Sequence, residues 1–414
     1  MSKRIIVVLS VIWMIILVAG MTTSLTLALS GTSGLPFVGQ LASGQEMIVT
    51  NSEYQTVSRY RRLNEVFELI QNEYYTDTDE ETLMLGAIRG MVESLDDPYS
   101  YYRTPEEMQQ EQDHQDGVYQ GVGLQLLVGE DKRLLVTRVF KGSPAEEAGL
   151  LSGDELKKVA GFELSEADDP METAKSLLMG EEGSKVSVEV DRAGERLTFS
   201  VGRAEVIINR VVYSMLEDDI GYIAIYEFMG DDVEGFSTAL DALTEQGAQA
   251  LVIDLRGNPG GLLTDVVKIS DKLLDEGLIV YVETRSGARE SYYSDEEAVQ
   301  LPMAVLVNGT SASASEILAG ALQDRGAAAI IGETTFGKGI VQSIIPFHED
   351  GAGIHLTTAS YFTPSGRSIH GSGIEPDVSV EQAENDVIDP EAPDPQCDAQ
   401  LRSAVTYLKE NSQP

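Results

Sequence analysis

A serine-rich segment and a later lysine carry residue types suited to nucleophilic catalysis. Residues 304–326, AVLVNGTSASASEILAGALQDRG, begin as an apolar strand, pass through a loop of small residues and continue as a helix. Lys338 follows Ser313 by 25 residues and stands between two glycines, and Gln342 lies four residues further on. A serine nucleophile needs a base, and a desolvated lysine can take the place of histidine. The pattern therefore predicts a serine–lysine pair, the chemistry of a peptidase.

Three serines in this segment compete for the role of nucleophile. Ser313 is favoured over Ser311 and Ser315 because it falls at the strand-to-helix junction. There the positive end of the helix dipole stabilises a developing anion. The alternative is that these hydroxyls only cap the helix by accepting hydrogen bonds from its first amides.

The residues around Lys338 suit an amine that must be uncharged to accept a proton. Residues 336–342, FGKGIVQ, contain no carboxylate. Burial would lower the pKa of the lysine because desolvation disfavours its charged form. We expect Gln342 to hold the amine by a hydrogen bond without adding charge. The alternative is an ordinary surface lysine.

A glycine-rich loop, DLRGNPGG at residues 254–261, follows an apolar strand and precedes a helix. Such a loop offers backbone amides to an anion. A phosphate-binding loop is the rival interpretation, but no Gly-Lys-Ser/Thr follows. We expect an oxyanion hole made by the amide of Gly260 or Gly261 together with that of Ala314. One such donor typically supplies about 3–4 kcal/mol to the transition state.

The sequence gives little support to metal catalysis. The four histidines, at positions 114, 348, 355 and 370, lack metal-binding spacing, and no HExxH motif or cysteine cluster occurs. We expect no metal and no organic cofactor. His348 and His355 stay as alternative bases for a triad of the histidine type.

A second glycine-rich segment, YQGVGL at residues 119–124, precedes a short strand. Free amides of Gly121, Val122, Gly123 and Leu124 could bind a terminal carboxylate while the strand pairs with an incoming peptide. An ordinary hairpin entry is the alternative. The later segment GSPAEEAGL at residues 142–150 favours peptide binding.

Periodicity divides the chain into successive regions. Apolar residues at helical spacing mark residues 57–112, and short strands with turn signals mark residues 113–203. In residues 204–380, continuous apolar strands alternate with helices, which is typical of an α/β core with a sheet covered on both faces. An acidic linker and a short helix occupy residues 381–414. Before the helical region lie an apolar anchor at residues 1–30 and a linker at residues 31–56.

The charge and the N-terminus limit location and partners. A formal net charge of −39 disfavours nucleic acid and anionic membrane surfaces, since both would repel the chain. Residues 5–29 lack charge and follow Lys3 and Arg4, which predicts a single-pass anchor in the cell membrane with the body of the protein extracytoplasmic. A cleaved signal peptide, and hence secretion, is the alternative. Cys397 is the only cysteine, so no intramolecular disulfide can form.

Six segments, taken in order, resemble the C-terminal processing peptidases, also called tail-specific proteases. Besides the PDZ-like segment and DLRGNPGG they are SLDDPYSYY (94–102), SASASEILAGALQD (311–324), GETTFGKGIVQ (332–342) and YFTPSGRSIHGSGIEPD (361–377). The resemblance covers about residues 64–380. It implies an α/β, ClpP/crotonase-like peptidase core with an inserted, mainly β PDZ domain and an N-terminal helical region.

The resemblance also assigns roles. It implies that Ser313 is the nucleophile, Lys338 the general base and Gln342 its orienting partner. It implies that the PDZ domain receives hydrophobic C-terminal tails and gates the site, and that terminal helices at residues 58–95 and 399–408 form a homodimer. Many relatives carry an arginine, linked to activation, where this chain has Met179 before Gly180. The residue pair therefore departs from the family pattern at a position tied to gating, so the resemblance does not carry over the details of gating, whereas the catalytic pair is unaffected.

The main hypothesis is a membrane-anchored, extracytoplasmic serine endopeptidase that engages protein or peptide substrates by their apolar C-termini. A catalytically silent PDZ scaffold or chaperone is the alternative. An acyl-transfer or ligand-binding enzyme on a related α/β fold is a third hypothesis, but it leaves the PDZ-like segment unexplained. Cleavage of an unfolded protein with an apolar tail would distinguish the enzyme from the scaffold.

Overall fold

The computed structural model describes residues 37–40, 46–49, 60–115, 117–128, 133–167, 169–383 and 388–411. The predicted anchor lies outside these residues, and the predicted linker falls within them only at two short strands. The chain divides into two units, Met1–Met91 and Val92–Pro414. No helix in the described part of the chain is long and apolar enough to cross a membrane.

The first unit contains a short hairpin and helices. Its elements are β1 (Phe37–Gln40), β2 (Glu46–Val49), α1 (Arg61–Glu73) and α2 (Glu80–Glu93), of which α2 ends just beyond the unit boundary. Asp79 caps α2, since its carboxylate accepts a hydrogen bond from the Thr82 amide at 2.8 Å. None of the residues of α1 is buried, although Leu63, Val66 and Ile70 lie at helical spacing. The helix therefore presents an exposed apolar stripe.

A small, mainly β domain lies in the second unit. After β3 (Tyr101–Arg103) and α3 (Pro105–Gln115), its elements are β4 (Val118–Gly121), β5 (Leu124–Val128), β6 (Leu134–Val139), α4 (Pro144–Ala148), β7 (Glu155–Val159), β8 (Phe162–Glu163), α5 (Pro170–Leu178), β9 (Lys185–Arg192), β10 (Glu195–Gly202) and β11 (Ala204–Ile207). The antiparallel sheet has the order β10-β9-β7-β6-β5, with β8 on β7. Alternating strand residues and one face of α5 form its own core.

The larger domain follows, with both parallel and antiparallel pairing. Its elements are β12 (Val211–Met215), β13 (Ile220–Ile225), α6 (Asp232–Glu245), β14 (Ala250–Asp254), α7 (Leu263–Leu273), β15 (Gly277–Thr284), β16 (Arg289–Ser294), β17 (Met303–Val307), α8 (Ala314–Asp324), β18 (Ala328–Gly332), β19 (Ile340–Pro346), β20 (Gly353–Phe362), β21 (Val378–Ser379) and α9 (Ala399–Asn411).

The central sheet has the order β12-β13-β14-β17-β18-β21, and β13 to β21 run parallel. Its strands β13, β14 and β17 are buried along their whole length, because helices cover both faces. Residues of α6, α7 and α8 pack on one face, and α9 packs on the other. The α/β architecture expected from the alternating pattern is therefore observed.

One strand differs from the sequence-based expectation. The alternating pattern of residues 204–380 predicts one sheet covered on both faces, which would include the apolar run at residues 278–282. In the structure this run forms β15, which belongs to a second, antiparallel sheet of order β16-β15-β20-β19, with β3 paired to β20. An apolar run shows that a strand is buried, but it does not identify its neighbours.

The C-terminal helix α9 packs within its own chain, although the family resemblance implied that it takes part in a homodimer. The residues Leu401, Ala404 and Leu408 are at most 2% exposed and pack against the central sheet of their own chain. The apolar face of α9 is thus already used within the fold, so residues 399–408 do not offer that face to a second copy.

Candidate active site

Ser313 stands where the chain turns from the end of β17 into α8. It has φ 55° and ψ −112°, a conformation that is strained for a residue with a side chain. Ser311 and Ser315 are both fully buried, and their hydroxyls donate to the carbonyls of Leu255 at 2.8 Å and Asn258 at 3.0 Å. Of the three serines, only Ser313 is partly exposed. The geometry thus distinguishes one partly exposed serine from two buried serines whose hydroxyls bond to backbone carbonyls.

The glycine-rich loop after β14 lies against this turn. The Ala312 amide donates to the Asn258 carbonyl at 3.0 Å, and the Asn258 side chain donates to the Ile225 carbonyl at 2.8 Å. A Cβ atom placed on Gly260 would lie 2.7 Å from the Ser313 Cβ and 2.9 Å from the Ala314 nitrogen. The loop therefore approaches Ser313 as closely as a backbone without a side chain allows.

The structure changes the expected set of oxyanion donors. The Gly260 amide donates to the Asn258 side-chain oxygen at 2.8 Å, so it is already engaged. This is a short-range turn of the kind that asparagine forms with the backbone two residues on. The amides of Gly261 and Ala314 are the two remaining candidates from the predicted set. Ala314 is the first residue of α8, where helix amides lack intrahelical partners.

A buried carboxylate that the sequence did not single out joins the serine turn to the lysine loop. Glu316 is fully buried. One of its oxygens, Oε2, accepts the amides of Ser313 and Lys338, each at 2.8 Å. The other, Oε1, accepts the Thr335 hydroxyl at 2.6 Å and the Gly337 amide at 2.7 Å. Four donors thus meet on one side chain, which satisfies a charge that would otherwise be costly to bury.

Lys338 lies half-buried in this loop, with its amine beside an aromatic ring. The Nζ atom is 4.8 Å from the centroid of the Tyr99 ring. Burial lowers the pKa of Lys338 below its ordinary value, while the negative charges of Asp97 and Glu316 oppose that shift. A pKa below the ordinary value favours the neutral amine that a general base requires. Two carboxylates remote in sequence therefore act on a lysine that has none among its sequence neighbours.

The structure does not show the hydrogen bonds that the sequence predicted between Ser313, Lys338 and Gln342. Within the described part of the chain, no hydrogen bond joins Ser313 Oγ to Lys338 Nζ or Lys338 Nζ to Gln342. Gln342 instead donates to the Thr357 hydroxyl at 3.5 Å, a long contact beside an irregular pairing at Val341 and Gln342. Its role as partner of the lysine stays a prediction.

The alternative base His355 lies in a different environment. It is buried, its Nε2 is 3.0 Å from a Glu111 carboxylate oxygen, and its ring stacks on Tyr101 with centroids 4.5 Å apart. These contacts belong to the β3–β20 junction, where β3 pairs with β20.

If Lys338 has its predicted role as general base, replacing Asp97 with asparagine should shift the pH dependence of catalysis to lower pH. Asp97 favours the protonated lysine, so its removal lowers the pKa of Lys338 further. A general base works only when neutral, and activity falls as the pH drops below its pKa. The acid limb of the kcat/KM profile should therefore move to lower pH.

The matched control for this experiment is Asp96→Asn, which removes the same charge from the neighbouring, exposed residue. Its acid limb should coincide with that of the unmodified protein. An Asp97→Asn profile that also coincides, or that moves to higher pH, would show that Asp97 does not act on the base.

The predicted peptide-binding loop lies at the edge of the small β sheet. β5 is the terminal strand of that sheet, so one of its sides is available to pair with an extended chain. Gly123 has φ +92°, and a Cβ atom there would lie 2.1 Å from the Ser143 Cβ. Val122 is buried, and its carbonyl accepts the Ala145 amide at 2.8 Å. These contacts hold the loop of residues 121–124 in a fixed shape.

Comparison with known proteins agrees with this arrangement. The family model for peptidase family S41 matches residues 219–380, the PDZ domain model matches residues 120–202, and the model for the N-terminal domain of the activating protease CtpB matches residues 33–107. The carboxy-terminal processing protease CtpA of Bacillus subtilis (strain 168) is 35% identical over 376 residues, which cover 90% of this chain and 77% of the relative. The chain belongs to the carboxy-terminal processing proteases of family S41. It is a serine-type peptidase with a PDZ domain.

Two further relatives support the family assignment of this protease. CtpB of the same organism is 37% identical over 328 residues, covering 78% of this chain and 68% of the relative. Among solved structures, the photosystem II D1 C-terminal processing protease matches with a TM-score of 0.55 and 28% identity. That match covers 88% of this chain and 99% of the other.

The PDZ domain of this protease is tied to the peptidase domain through Arg138 on β6. Its guanidinium donates to the Asn209 carbonyl and to a Glu391 carboxylate oxygen, both at 2.8 Å. The same group stacks 3.5 Å from the ring centroid of Tyr226. Arg138 is only 6% exposed, so these partners offset the free-energy cost of burying its charge.

An arginine contacts the C-terminal end of α5 in the PDZ domain, but it lies between β10 and β11 and not at the helix end. Met179, which follows α5, is exposed. Arg203 donates to the carbonyls of Leu177 at 2.7 Å and Leu178 at 3.1 Å, which are orphan acceptors at the helix end. The sequence offered no signal for this contact, since Arg203 lies 25 residues from the helix end.

A buried ionic cluster holds the glycine-rich loop of the protease against its C-terminal helix. Arg256 lies 2.5 Å from an Asp254 oxygen and 2.7 Å from an Asp398 oxygen, and all three side chains are almost fully buried. Its Nη1 also donates to Gln400 at 3.2 Å, and the Tyr222 hydroxyl donates to Asp254 at 2.8 Å. The C-terminal segment thus supports the loop that reaches Ser313.

Proposed function

We propose that this protease cleaves protein substrates by serine–lysine chemistry after its PDZ domain binds their apolar C-terminal tails. Ser313 Oγ attacks the carbonyl carbon of the scissile peptide bond while its proton passes to the neutral amine of Lys338. Lys338 then gives that proton to the leaving amine as the C–N bond breaks, which leaves an ester on Ser313. Water then attacks the ester carbonyl while Lys338 takes its proton. Lys338 returns that proton to Ser313 Oγ as the ester bond breaks, which releases the carboxylic acid product and restores both residues.

The observation that carries this proposal is the shared anchoring of Ser313 and Lys338. Their amides bind the same oxygen of Glu316, although the residues belong to different elements. Ser313 is the accessible hydroxyl of its segment, and burial lowers the pKa of Lys338. Nucleophilic catalysis without histidine requires an exposed serine hydroxyl close to a lysine with a lowered pKa. Glu316 anchors the two residues that would supply these groups.

Supporting roles follow for the neighbouring groups. The amides of Gly261 and Ala314 stabilise the oxyanion, each supplying about 3–4 kcal/mol if the geometry is typical. Gln342 orients the amine of Lys338. To do so, the Gln342 side chain must break its hydrogen bond to the Thr357 hydroxyl. That bond is 3.5 Å long and therefore weak.

The PDZ domain supplies substrate recognition. The loop of residues 121–124 offers amides to a terminal carboxylate, and the open side of β5 pairs with the tail as an added strand. Apolar side chains of the tail then lie between β5 and α5. Acidic substrates are disfavoured by the net charge of −39.

Residues 1–30 anchor the protease in the cell membrane, with the catalytic part extracytoplasmic. The uncharged run at residues 5–29, preceded by two cationic residues, supports this location. We further propose a homodimer through the N-terminal helices. Leu63, Val66 and Leu69 of α1 are 37%, 45% and 62% exposed, a stripe that a second copy would cover.

Replacing Ser313 with alanine tests the proposed function. The full-length protein in detergent is incubated with an unfolded protein that ends in an apolar tail, and fragments are quantified. We expect kcat/KM to fall by at least about 10³-fold, because loss of a serine nucleophile removes covalent catalysis. Circular dichroism and the affinity for a tail peptide should be unchanged.

The same substrate with two aspartates added to its tail is the control for recognition, and the unmodified protease should cleave it more slowly. Fragments from the Ser313→Ala variant at the unmodified rate would refute the assignment of the nucleophile. Retention of the tailed protein without fragments, by both proteins, would favour a peptide-binding scaffold.

A further inference from the structure

Tyr361, in β20, makes contacts with both proposed reacting residues that neither the sequence pattern nor the proposed chemistry assigns. It is 1% exposed. Its hydroxyl lies 2.6 Å from the Lys338 carbonyl oxygen and 3.1 Å from the Ser313 carbonyl oxygen. Its amide also donates to the Gly339 carbonyl at 3.1 Å. One phenolic proton is thus shared between two carbonyls, as in a three-centre hydrogen bond.

Tyr361 and Glu316 together bind the main chain of Ser313 and Lys338 on both sides. The amide of each residue donates to Glu316 Oε2, and the carbonyl of each accepts from the Tyr361 hydroxyl. The two peptide segments therefore have the same two partners. A shift of either segment relative to the other must lengthen at least one of these four bonds.

We propose that the Tyr361 hydroxyl is a positioning residue that sets the separation between nucleophile and base. This rests on the proposed serine–lysine chemistry. Proton transfer needs heavy atoms within about 2.6–3.2 Å, and a misplacement of about 1 Å can cost roughly 100-fold in rate. Tyr361 lies on β20, which pairs with β19, the strand that follows Lys338, so its hydroxyl connects this sheet to the turn that carries Ser313.

The hydroxyl stays a donor at any pH at which the enzyme works. Burial, helped by the negative charge of Glu316, raises the pKa of Tyr361 well above the ordinary value for tyrosine. Its ring packs in the core beneath the central sheet. Phenylalanine at this position would keep that packing and lose only the hydrogen bonds.

The test compares Tyr361→Phe with Tyr281→Phe in the full-length protein. Tyr281 lies on β15 in the same sheet and stacks on Phe362 with centroids 4.9 Å apart. Its hydroxyl makes no hydrogen bond to the described site residues. We expect Tyr361→Phe to lower kcat by about 10- to 100-fold with KM unchanged within about twofold. Tyr281→Phe should keep the unmodified kcat and KM.

A rescue experiment separates a donor from a space-filling ring. We expect 4-aminophenylalanine at position 361, which offers an N–H in place of the O–H, to recover part of the lost kcat. Each rate is measured at a temperature at which circular dichroism shows that variant to be fully folded. Under this condition a fall in kcat reflects lost positioning of the site and not partial unfolding of the variant.

The outcomes also separate this inference from the proposed function. If Ser313→Ala cleaves normally, the proposed chemistry fails, and the positioning role fails with it. If Ser313→Ala is inactive but Tyr361→Phe keeps the unmodified kcat, the chemistry stands and the positioning role is overturned. A fall in kcat with no recovery by 4-aminophenylalanine also overturns the role as a donor.

Discussion

Replacing Glu316 with glutamine is expected to abolish cleavage as completely as Ser313→Ala and to destabilise the fold as well. The Glu316 carboxylate accepts four hydrogen bonds from Ser313, Lys338, Thr335 and Gly337. Glutamine provides one oxygen, and its amino group would face N–H or O–H donors. At least two donors would lose their acceptor, and each unsatisfied buried group costs about 1–3 kcal/mol.

The loss of activity has a separate origin from the loss of stability. The hydrogen bonds from the Ser313 and Lys338 amides to Glu316 connect the turn before α8 to the loop that carries Lys338. These two segments are far apart in sequence, so the chain itself does not hold them together. Once these hydrogen bonds break, the two residues can drift apart by more than catalysis tolerates. The free energy of unfolding should fall by about 2–6 kcal/mol if two donors are orphaned.

Urea unfolding and kcat/KM with a tailed substrate measure the two effects. The control is Glu245→Gln, which removes an exposed carboxylate from α6. That variant should match the unmodified protein in both measurements. Normal cleavage by Glu316→Gln would show that its carboxylate does not position the site.

Replacing Gly260 with alanine is expected to lower kcat/KM by at least about 100-fold. The added methyl would lie 2.7 Å from the Ser313 Cβ, 2.8 Å from the Ala312 carbonyl oxygen and 2.9 Å from the Ala314 nitrogen. These atoms belong to the proposed nucleophile, to the residue before it and to the proposed oxyanion donor, so any relaxation displaces the proposed reacting geometry. The φ of +108° adds strain for a residue with a Cβ.

A matched control lies in the same loop. Gly257 also has a positive φ, +74°, but a Cβ atom there meets nothing within 4 Å. Gly257→Ala therefore carries backbone strain without the clash. Comparison of kcat/KM and melting temperature for the two variants isolates the steric effect. Equal kcat/KM values for both would mean that the contact with Ser313 is unimportant.

Much of the site could be predicted from local patterns. The apolar run before residue 308 and the helical pattern after residue 314 placed Ser313 at a strand-to-helix junction, and the structure has it there. A Cβ atom on any of the glycines at positions 260, 261, 337 and 339 would lie within 3.0 Å of another atom, so the glycine-rich pattern marks places of close backbone approach. These features depend on residues near one another in the chain.

Other features could not be predicted because several residues compete for the same role. Residue type alone does not distinguish Ser311, Ser313 and Ser315, and position in the sequence favoured Ser313 without excluding the other two. Burial and hydrogen bonding distinguish them only after the loop at Asn258 docks beside them. The same docking engages the Gly260 amide and leaves those of Gly261 and Ala314 as the candidate oxyanion donors.

By itself the sequence determined the order of the elements, the α/β character of the larger domain and the residue types available for catalysis. These follow from periodicity, turn residues and motif spacing, which are short-range properties of the chain. The tertiary structure alone decided that β15 joins an antiparallel sheet, that Asp97 lies where its charge acts on Lys338, and that Glu316 and Tyr361 bind the main chain of both Ser313 and Lys338. Such contacts join residues far apart in sequence, and they exist only where packing brings separate elements together.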